Sequence, residues 1–279
     1  MFPASARAVA RMSILDWSAV MLAGLDEPVS RMVRRMVGEE GGAPAATVFG
    51  LDGKRPARAA ALANGAASHA LDYDDTHFAY VGHPSVAVFP AALAIAEKTG
   101  ASGADLLAAF LIGAETACRV GRFLGSSHYQ HGFHQTATSG AFGATAACAR
   151  LMVLSQEQTR HALGIAATRA SGLKSQFGTM GKPFHAGMAA ANGVEAARLA
   201  SFGVISRPDG IECEQVRIMR AKTDCTIQAR YCNFHLPGMC KDMTKSKMGL
   251  RIARTKGKCR PQFVYTGFEI ATQAKSTPQ

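Results

Sequence analysis

Leu107, Phe110, Leu111, Ala114 and Cys118 recur at i, i+3, i+4, i+7 and i+11, the spacing of one face of an α-helix. Similar patterns run through the first 204 residues, whereas the alternating, β-branched runs of half-buried strands are scarce. Ser102 with Asp105 and Ser155 with Gln158 supply helix start signals. Further helices are expected over 9–23, 57–70, 86–98, 138–151 and 184–200. The alanine and glycine content suits helices packed closely by small side chains. The expected fold class is all-α, a bundle of many helices over residues 1–214.

Residues 215–279 read differently. Up to Val204 there are 17 Lys and Arg against 14 Asp and Glu; from Ile205 onward there are 14 against 6, so most of the net charge of +11 sits in the last quarter. Five of the seven cysteines fall there too: Cys213, Cys225, Cys232, Cys240 and Cys259. The shift in charge and cysteine content near Gln215, without sustained periodicity, is expected of a frameshifted or otherwise aberrant, poorly packed terminus. Cys232, His235 and Cys240 lack the paired CxxC of a zinc knuckle, and the basic run over 241–260 lacks interleaved aromatics. No specific nucleic-acid partner is expected.

No apolar run reaches the roughly 18 uninterrupted residues of a membrane span, and Arg7, Arg11 and Asp16 interrupt the stretch where a signal peptide needs an apolar centre. A cytoplasmic chain without a membrane partner is the expectation.

Titratable chemistry gathers in three places. "LDYDDTHFAYVGHPS", residues 71–85, holds three aspartates and two histidines; "SSHYQHGFHQTATSG" holds His128, His131 and His134; "SQFGTMGKPFHAG" holds Lys182 and His185. All three fall at expected helix ends or loops, where functional residues concentrate. Paired aspartates such as Asp74 and Asp75 are ordinarily helix caps or solvated charges, and a single histidine is ordinarily a satisfied or exposed side chain. HExxH is absent and the His/Asp spacings match no common zinc pattern, so no metal is expected.

"HALDYDDTHFAYVGHPSVAVFPAALAIAE", "GFHQTATSGAFGATAACARLM" and "GTMGKPFHAGMAAANGVEAARLASFG", in that order, resemble the helical domain of the MmgE/PrpD family, which includes 2-methylcitrate dehydratases and cis-aconitate decarboxylases. The resemblance runs over about residues 8–214. It implies a lyase acting on a small polycarboxylate, of the 2-methylcitrate dehydratase type and so tied to propionate metabolism. The alternatives are a cis-aconitate decarboxylase-like lyase or a non-catalytic truncated remnant. No cofactor is implied, and a homodimer is the expected assembly.

Carried over residue by residue, the family's site falls on His134 for proton transfer, Lys182 for carboxylate binding and charge stabilisation, and His83 for carboxylate binding or proton relay. Thr76 is assigned to hydrogen bonding and Asp72 to orienting its neighbours; His77 and His185 are second-rank substrate-binding candidates. Asp72, His83, His134 and Lys182 are expected to line one cleft. After "FGVISRPDGIECEQ" the sequence departs from the family, whose relatives continue into an α+β lid domain, and impaired activity is expected on that ground.

Overall fold

The computed structural model describes residues 2–206. The expected domain boundary after residue 214, the poorly packed terminus, the Cys232/His235/Cys240 group and the basic run all lie outside the described residues. The described part contains eight α-helices: α1 Ala4–Ala23, α2 Pro28–Glu40, α3 Ala57–Ser68, α4 Ser85–Thr99, α5 Gly103–Gln130, α6 Gln135–Leu151, α7 Gln156–Arg169 and α8 Gly181–Ser201. β1 (Ala46–Thr47) and β2 (Lys54–Arg55) form a short antiparallel pair with Ala46 opposite Arg55. The all-α class read from the periodicity is the observed one.

Capping residues set several boundaries. The Ser102 hydroxyl accepts from the Asp105 amide at the start of α5, and Ser155 with Gln158 closes a full capping box on α7. Gly100, in the left-handed region, terminates α4. α5 runs further than the sequence implied. Gly125 breaks it with φ 71°, and the turn beyond carries His128, which is therefore helical and not part of a loop.

α6 forms the middle of the bundle. Every residue of α6 except Arg150 is buried, among them Thr136, Thr138, Ser139 and Thr145, and α4, α5, α7 and α8 pack around it. A helix buried on all sides needs small side chains where neighbours cross it, which its alanines and glycines provide. Trp17 of α1 anchors the other side of the core, edge-on to Phe89 at 4.8 Å and to Phe49 at 6.3 Å.

The crossing of α3 and α8 does most to position the site. A Cβ on Gly187 would lie 2.3 Å from the Leu62 carbonyl oxygen, and one on Gly65 would lie 2.8 Å from Gly187 Cα, so the two backbones touch. Arg58, early in α3, pairs with Glu195, late in α8, at 2.7 Å. The helices therefore run antiparallel, and the C-terminus of α3 meets the N-terminus of α8.

By length and composition, residues 4–26, covering α1 and the turn after it, could cross a membrane, although Ala10, Trp17, Val20 and Met21 are buried in the core. Val9, Met12, Leu15 and Leu22 occupy the exposed side of α1.

Candidate active site

Four helix ends converge on one cluster. His69 caps the C-terminus of α3, His83 lies two residues before α4, His134 is the N-cap of α6, and Lys182 and His185 sit in the first turns of α8. Three of these ends are N-termini, whose free amides and dipoles favour negative charge.

Backbone pairing fixes the loops that carry the side chains. In the loop before α4, the His77 amide donates to the Gly82 carbonyl at 3.0 Å and the Val81 amide to the His77 carbonyl at 2.9 Å. Tyr80, fully buried, reaches the Gln135 and Thr136 carbonyl oxygens with its hydroxyl at 3.2 and 3.3 Å, and the His83 amide donates to Thr136 Oγ1 at 3.1 Å. The loop is thereby pinned to the start of α6. On the far side, the His134 amide donates to the Gly172 carbonyl at 3.0 Å and the Lys174 amide to the Gly132 carbonyl at 2.8 Å. Asp72 and Val81 both occupy left-handed backbone, φ 59° and 56°, a conformation that costs a non-glycine residue roughly 1–3 kcal/mol.

The side chains form a continuous network. Lys182 Nζ lies 2.5 Å from Asp72 Oδ2, and Asp72 Oδ1 lies 3.6 Å from His83 Nε2. His83 Nδ1 lies 2.9 Å from Asp74 Oδ2, and Asp74 Oδ1 lies 2.9 Å from His69 Nδ1. The His69 ring stacks on His134 with centroids 5.7 Å apart, and His134 Nδ1 meets His185 Nδ1 at 3.2 Å. Exposure peaks at Asp72 and falls inward from it: the Asp72 side chain is 51% accessible, those of Lys182 and His83 16% and 18%, and those of Asp74 and His69 fully buried.

Burial and charge divide the titrating groups. Burial alone would raise the Asp74 carboxyl, but the charges and hydrogen bonds of His69 and His83 outweigh it and hold the group far below the ordinary carboxylate range. For His83, burial opposes the positive charge; the Asp74 hydrogen bond and charge, helped by Asp72, prevail and raise it above its ordinary value. His134 goes the other way. Burial, then the neighbouring His69, His185, Lys182 and His83, push its pKa far down, so its ring is neutral at physiological pH. Its place at a helix N-terminus disfavours a cation in the same sense.

Of the residues singled out in the sequence, Asp72, His83, His134, Lys182 and His185 come together. Thr76 and His77 are exposed on the loop. His77 Nδ1 accepts from the Tyr80 amide at 3.2 Å, a turn-closing bond. Among the described residues no hydrogen bond joins Thr76 to the cluster. His128 bonds Thr138 Oγ1 at 2.9 Å and stacks on Phe133.

Two members escaped the sequence reading. Asp75 does act at a helix start, accepting from the Ser85 amide and hydroxyl at 3.2 and 2.5 Å, but Asp74, read with it as a cap or solvated charge, is the buried hub of the network. His69 was visible only as a histidine at the end of a helix, five residues before an aspartate.

Residues 1–219 match the MmgE/PrpD N-terminal domain. The chain belongs to the MmgE/PrpD family. It is 37% identical over 174 residues to human (Homo sapiens) cis-aconitate decarboxylase, covering 60% of this chain and 36% of that protein. It is 33% identical over 212 residues to the cis-aconitate decarboxylase-like protein oryM of Aspergillus oryzae, covering 73% and 44%, and 36% identical over 166 residues to the cis-aconitate decarboxylase of Aspergillus terreus, covering 57% and 34%. The chain thus spans less than half the length of these curated relatives. The family is one of lyases.

Within this MmgE/PrpD domain, one nitrogen or oxygen each from His69, Asp72, Asp74 and His83 lie within 4.8 Å of one another, close enough to hold a metal ion. The same atoms are engaged with each other and, through Asp72, with Lys182. A cleft of about 990 Å³ lies elsewhere, beside α1 and α5, with Phe2, Ile14, Leu107, Arg7, Arg11 and Arg150 in its lining. Arginines stay protonated and supply no acid–base group, so the chemistry points to the histidine cluster.

Proposed function

We propose that this chain carries the polycarboxylate-binding and proton-transfer site of a lyase. The observation that carries the reading is the convergence of Lys182, His83 and three helix N-termini on a buried, neutral imidazole, His134. The cation, the raised His83 and the amide-rich helix ends suit a small ligand with several carboxylates.

In dehydration, a base takes a proton next to a carboxylate as hydroxide leaves; in decarboxylation, carbon dioxide leaves and an acid protonates the resulting carbanion. Both build negative charge beside carboxylates, and preorganised donors stabilise it most strongly when water is excluded. His134 suits the proton-transfer role because its proton affinity responds to the ligand. Lys182 and His83 are among the groups whose charge keeps it neutral, so a bound polyanion offsets their repulsion and raises its pKa. Lys182 would exchange or share Asp72 with a substrate carboxylate, and His83 would hold a second. His185, bonded to His134, is placed to orient that ring. Thr76 and His77 stand exposed on the same 71–82 loop that carries Asp72.

The names of the matched relatives put cis-aconitate first among substrates to assay, with 2-methylcitrate second. The test is incubation of the full chain with each compound, following the products by proton NMR, with His134→Ala as the control. Loss of carbon dioxide from cis-aconitate or of water from 2-methylcitrate, abolished in His134→Ala, supports the reading. Failure of the wild-type chain to bind or convert either compound overturns it.

A further inference from the structure

We propose that Asp74 is the positioning residue of this site, fixing the tautomers of two imidazoles at once. Its carboxylate faces two ring nitrogens of the same type: His69 Nδ1 lies 2.9 Å from Oδ1 and 3.1 Å from Oδ2, and His83 Nδ1 lies 2.9 Å from Oδ2 and 3.3 Å from the Asp74 backbone carbonyl, so every neighbour Asp74 offers these nitrogens is an acceptor. The Asp74 side chain is fully buried, and an ionised carboxylate only accepts hydrogen bonds, so each Nδ1 must carry a proton. A buried carboxylate left facing an imidazole lone pair would pay for its desolvation without a hydrogen bond in return.

The consequence falls on the other nitrogen of each ring. With both Nδ1 atoms committed as donors, Nε2 is the nitrogen left for other partners. On His83 it lies 3.6 Å from Asp72 Oδ1, at the more exposed end of the network beside Lys182. On His69 it is a buried atom that has no hydrogen-bond partner among the described residues, in a ring stacked on His134. An unpartnered buried nitrogen next to the proton-transfer imidazole is a place for a ligand hydroxyl, a ligand carboxyl or a bound water, which makes His69 a further member of the site. That last step rests on the lyase reading; the tautomers do not.

The fold supports the clamp from both sides. His69 is held by the end of α3 and His83 by the Thr136 hydroxyl, while Asp74 lies between them on a loop pinned by Tyr80. The carboxylate thereby couples the α3 end to the α4 start; His83 keeps the Asp74 backbone carbonyl as a second acceptor, so His69, held by the carboxylate alone, is the ring that loss of one oxygen should release first.

The experiment is imidazole nitrogen NMR on the full chain labelled with ¹⁵N-histidine, without ligand, with the His69 and His83 signals assigned through single His→Gln variants. The expected wild-type spectrum shows Nδ1 protonated on both rings. Asp74→Asn, which keeps the shape but has one acceptor oxygen, should remove that signature from at least one of them, and Asp74→Glu should retain it on at least one. Either ring carrying its proton on Nε2 alone in the wild type overturns the proposal, as does Asp74→Asn leaving both rings unchanged. Stoichiometric Zn²⁺ that strips both Nδ1 protons from the wild type at neutral pH also overturns it, in favour of a metal site. If the variants do not fold, the wild-type spectrum still decides. Because no substrate is present, failure of the lyase reading leaves the result intact.

Discussion

Lys182 Nζ and Asp72 Oδ2, 2.5 Å apart, join the first turn of α8 to the loop after α3. The pair is partly exposed on the Asp72 side, so it should contribute only about 0–1 kcal/mol to stability. Its larger part is to hold an ammonium beside the buried histidines. Lys182→Met should therefore melt near the wild-type temperature but bind cis-aconitate about tenfold more weakly or worse, the usual scale for losing a charge-assisted hydrogen bond. Calorimetric titration checks this, and an unchanged affinity would remove Lys182 from the ligand site.

Acid should destabilise the domain well above the carboxylate range. Burial, then the charge of His131, pushes His128 down to about 4, and burial with several cationic neighbours pushes His134 lower still. Both rings stay neutral in the native state and take up a proton below about pH 6.5 when unfolded. The unfolded state then binds more protons, so stability falls as pH drops from about 7 to 5, by up to roughly 1.4 kcal/mol per pH unit for each such group. His83 works in the opposite sense: its raised pKa contributes stability that is full below its ordinary value and fades as pH rises through the raised one. Two strongly depressed rings should outweigh it. Urea midpoints measured from pH 7.5 to 5.5 should decline, and His128→Gln should flatten the slope. A midpoint that held steady or rose would contradict this account.

The contact of Gly187 with α3 makes a separate expectation. A methyl group there meets the Leu62 carbonyl oxygen at 2.3 Å, a backbone atom that cannot rotate away. Gly187→Ala should cost about 1–3 kcal/mol, the range for overpacking a tight core, and should shift α3 away from α8. Since His69 ends α3 while Lys182 and His185 begin α8, ligand affinity should fall with stability in this variant. Denaturant titration together with cis-aconitate binding tests the coupling; a destabilised variant with full affinity would show the site to be independent of the crossing.

These cases show what the sequence could and could not convey. The helices were legible because 3.6-residue spacing and caps such as Ser102 and Ser155 are local signals. α2, with its amphipathic Val29, Val33 and Val37, went unremarked beside stronger neighbours. Asp72, His83, His134 and Lys182 were singled out because motif order carries over within a family, and the fold brings these four side chains together. Asp74 was misread because a loop aspartate before a helix has the same local signature whether it faces solvent or two imidazoles; only the α3–α8 crossing and the Tyr80 anchor make it a hub. His128 was read only as lying at a helix end or in a loop, because the apolar spacing of α5 was followed no further than Cys118, whereas α5 bends at Gly125 and continues through Gln130.

The last expectation concerns metal. His69, Asp72, Asp74 and His83 are of the type and spacing that hold a divalent ion, so added zinc is a fair challenge to the site. Their atoms are already paired: Asp74 with two imidazoles, Asp72 with Lys182. An ion could bind His69 and His83 through Nδ1 only by displacing the two protons that face Asp74, and its charge would add to that of Lys182. Zinc should therefore bind weakly, more weakly still as pH falls and the displaced protons are harder to remove, and it should compete with cis-aconitate for His83. Ligand binding should persist unchanged in excess EDTA. Loss of cis-aconitate affinity on chelation, restored by a stoichiometric divalent ion, would show that the four donors serve a metal instead of a hydrogen-bonded clamp.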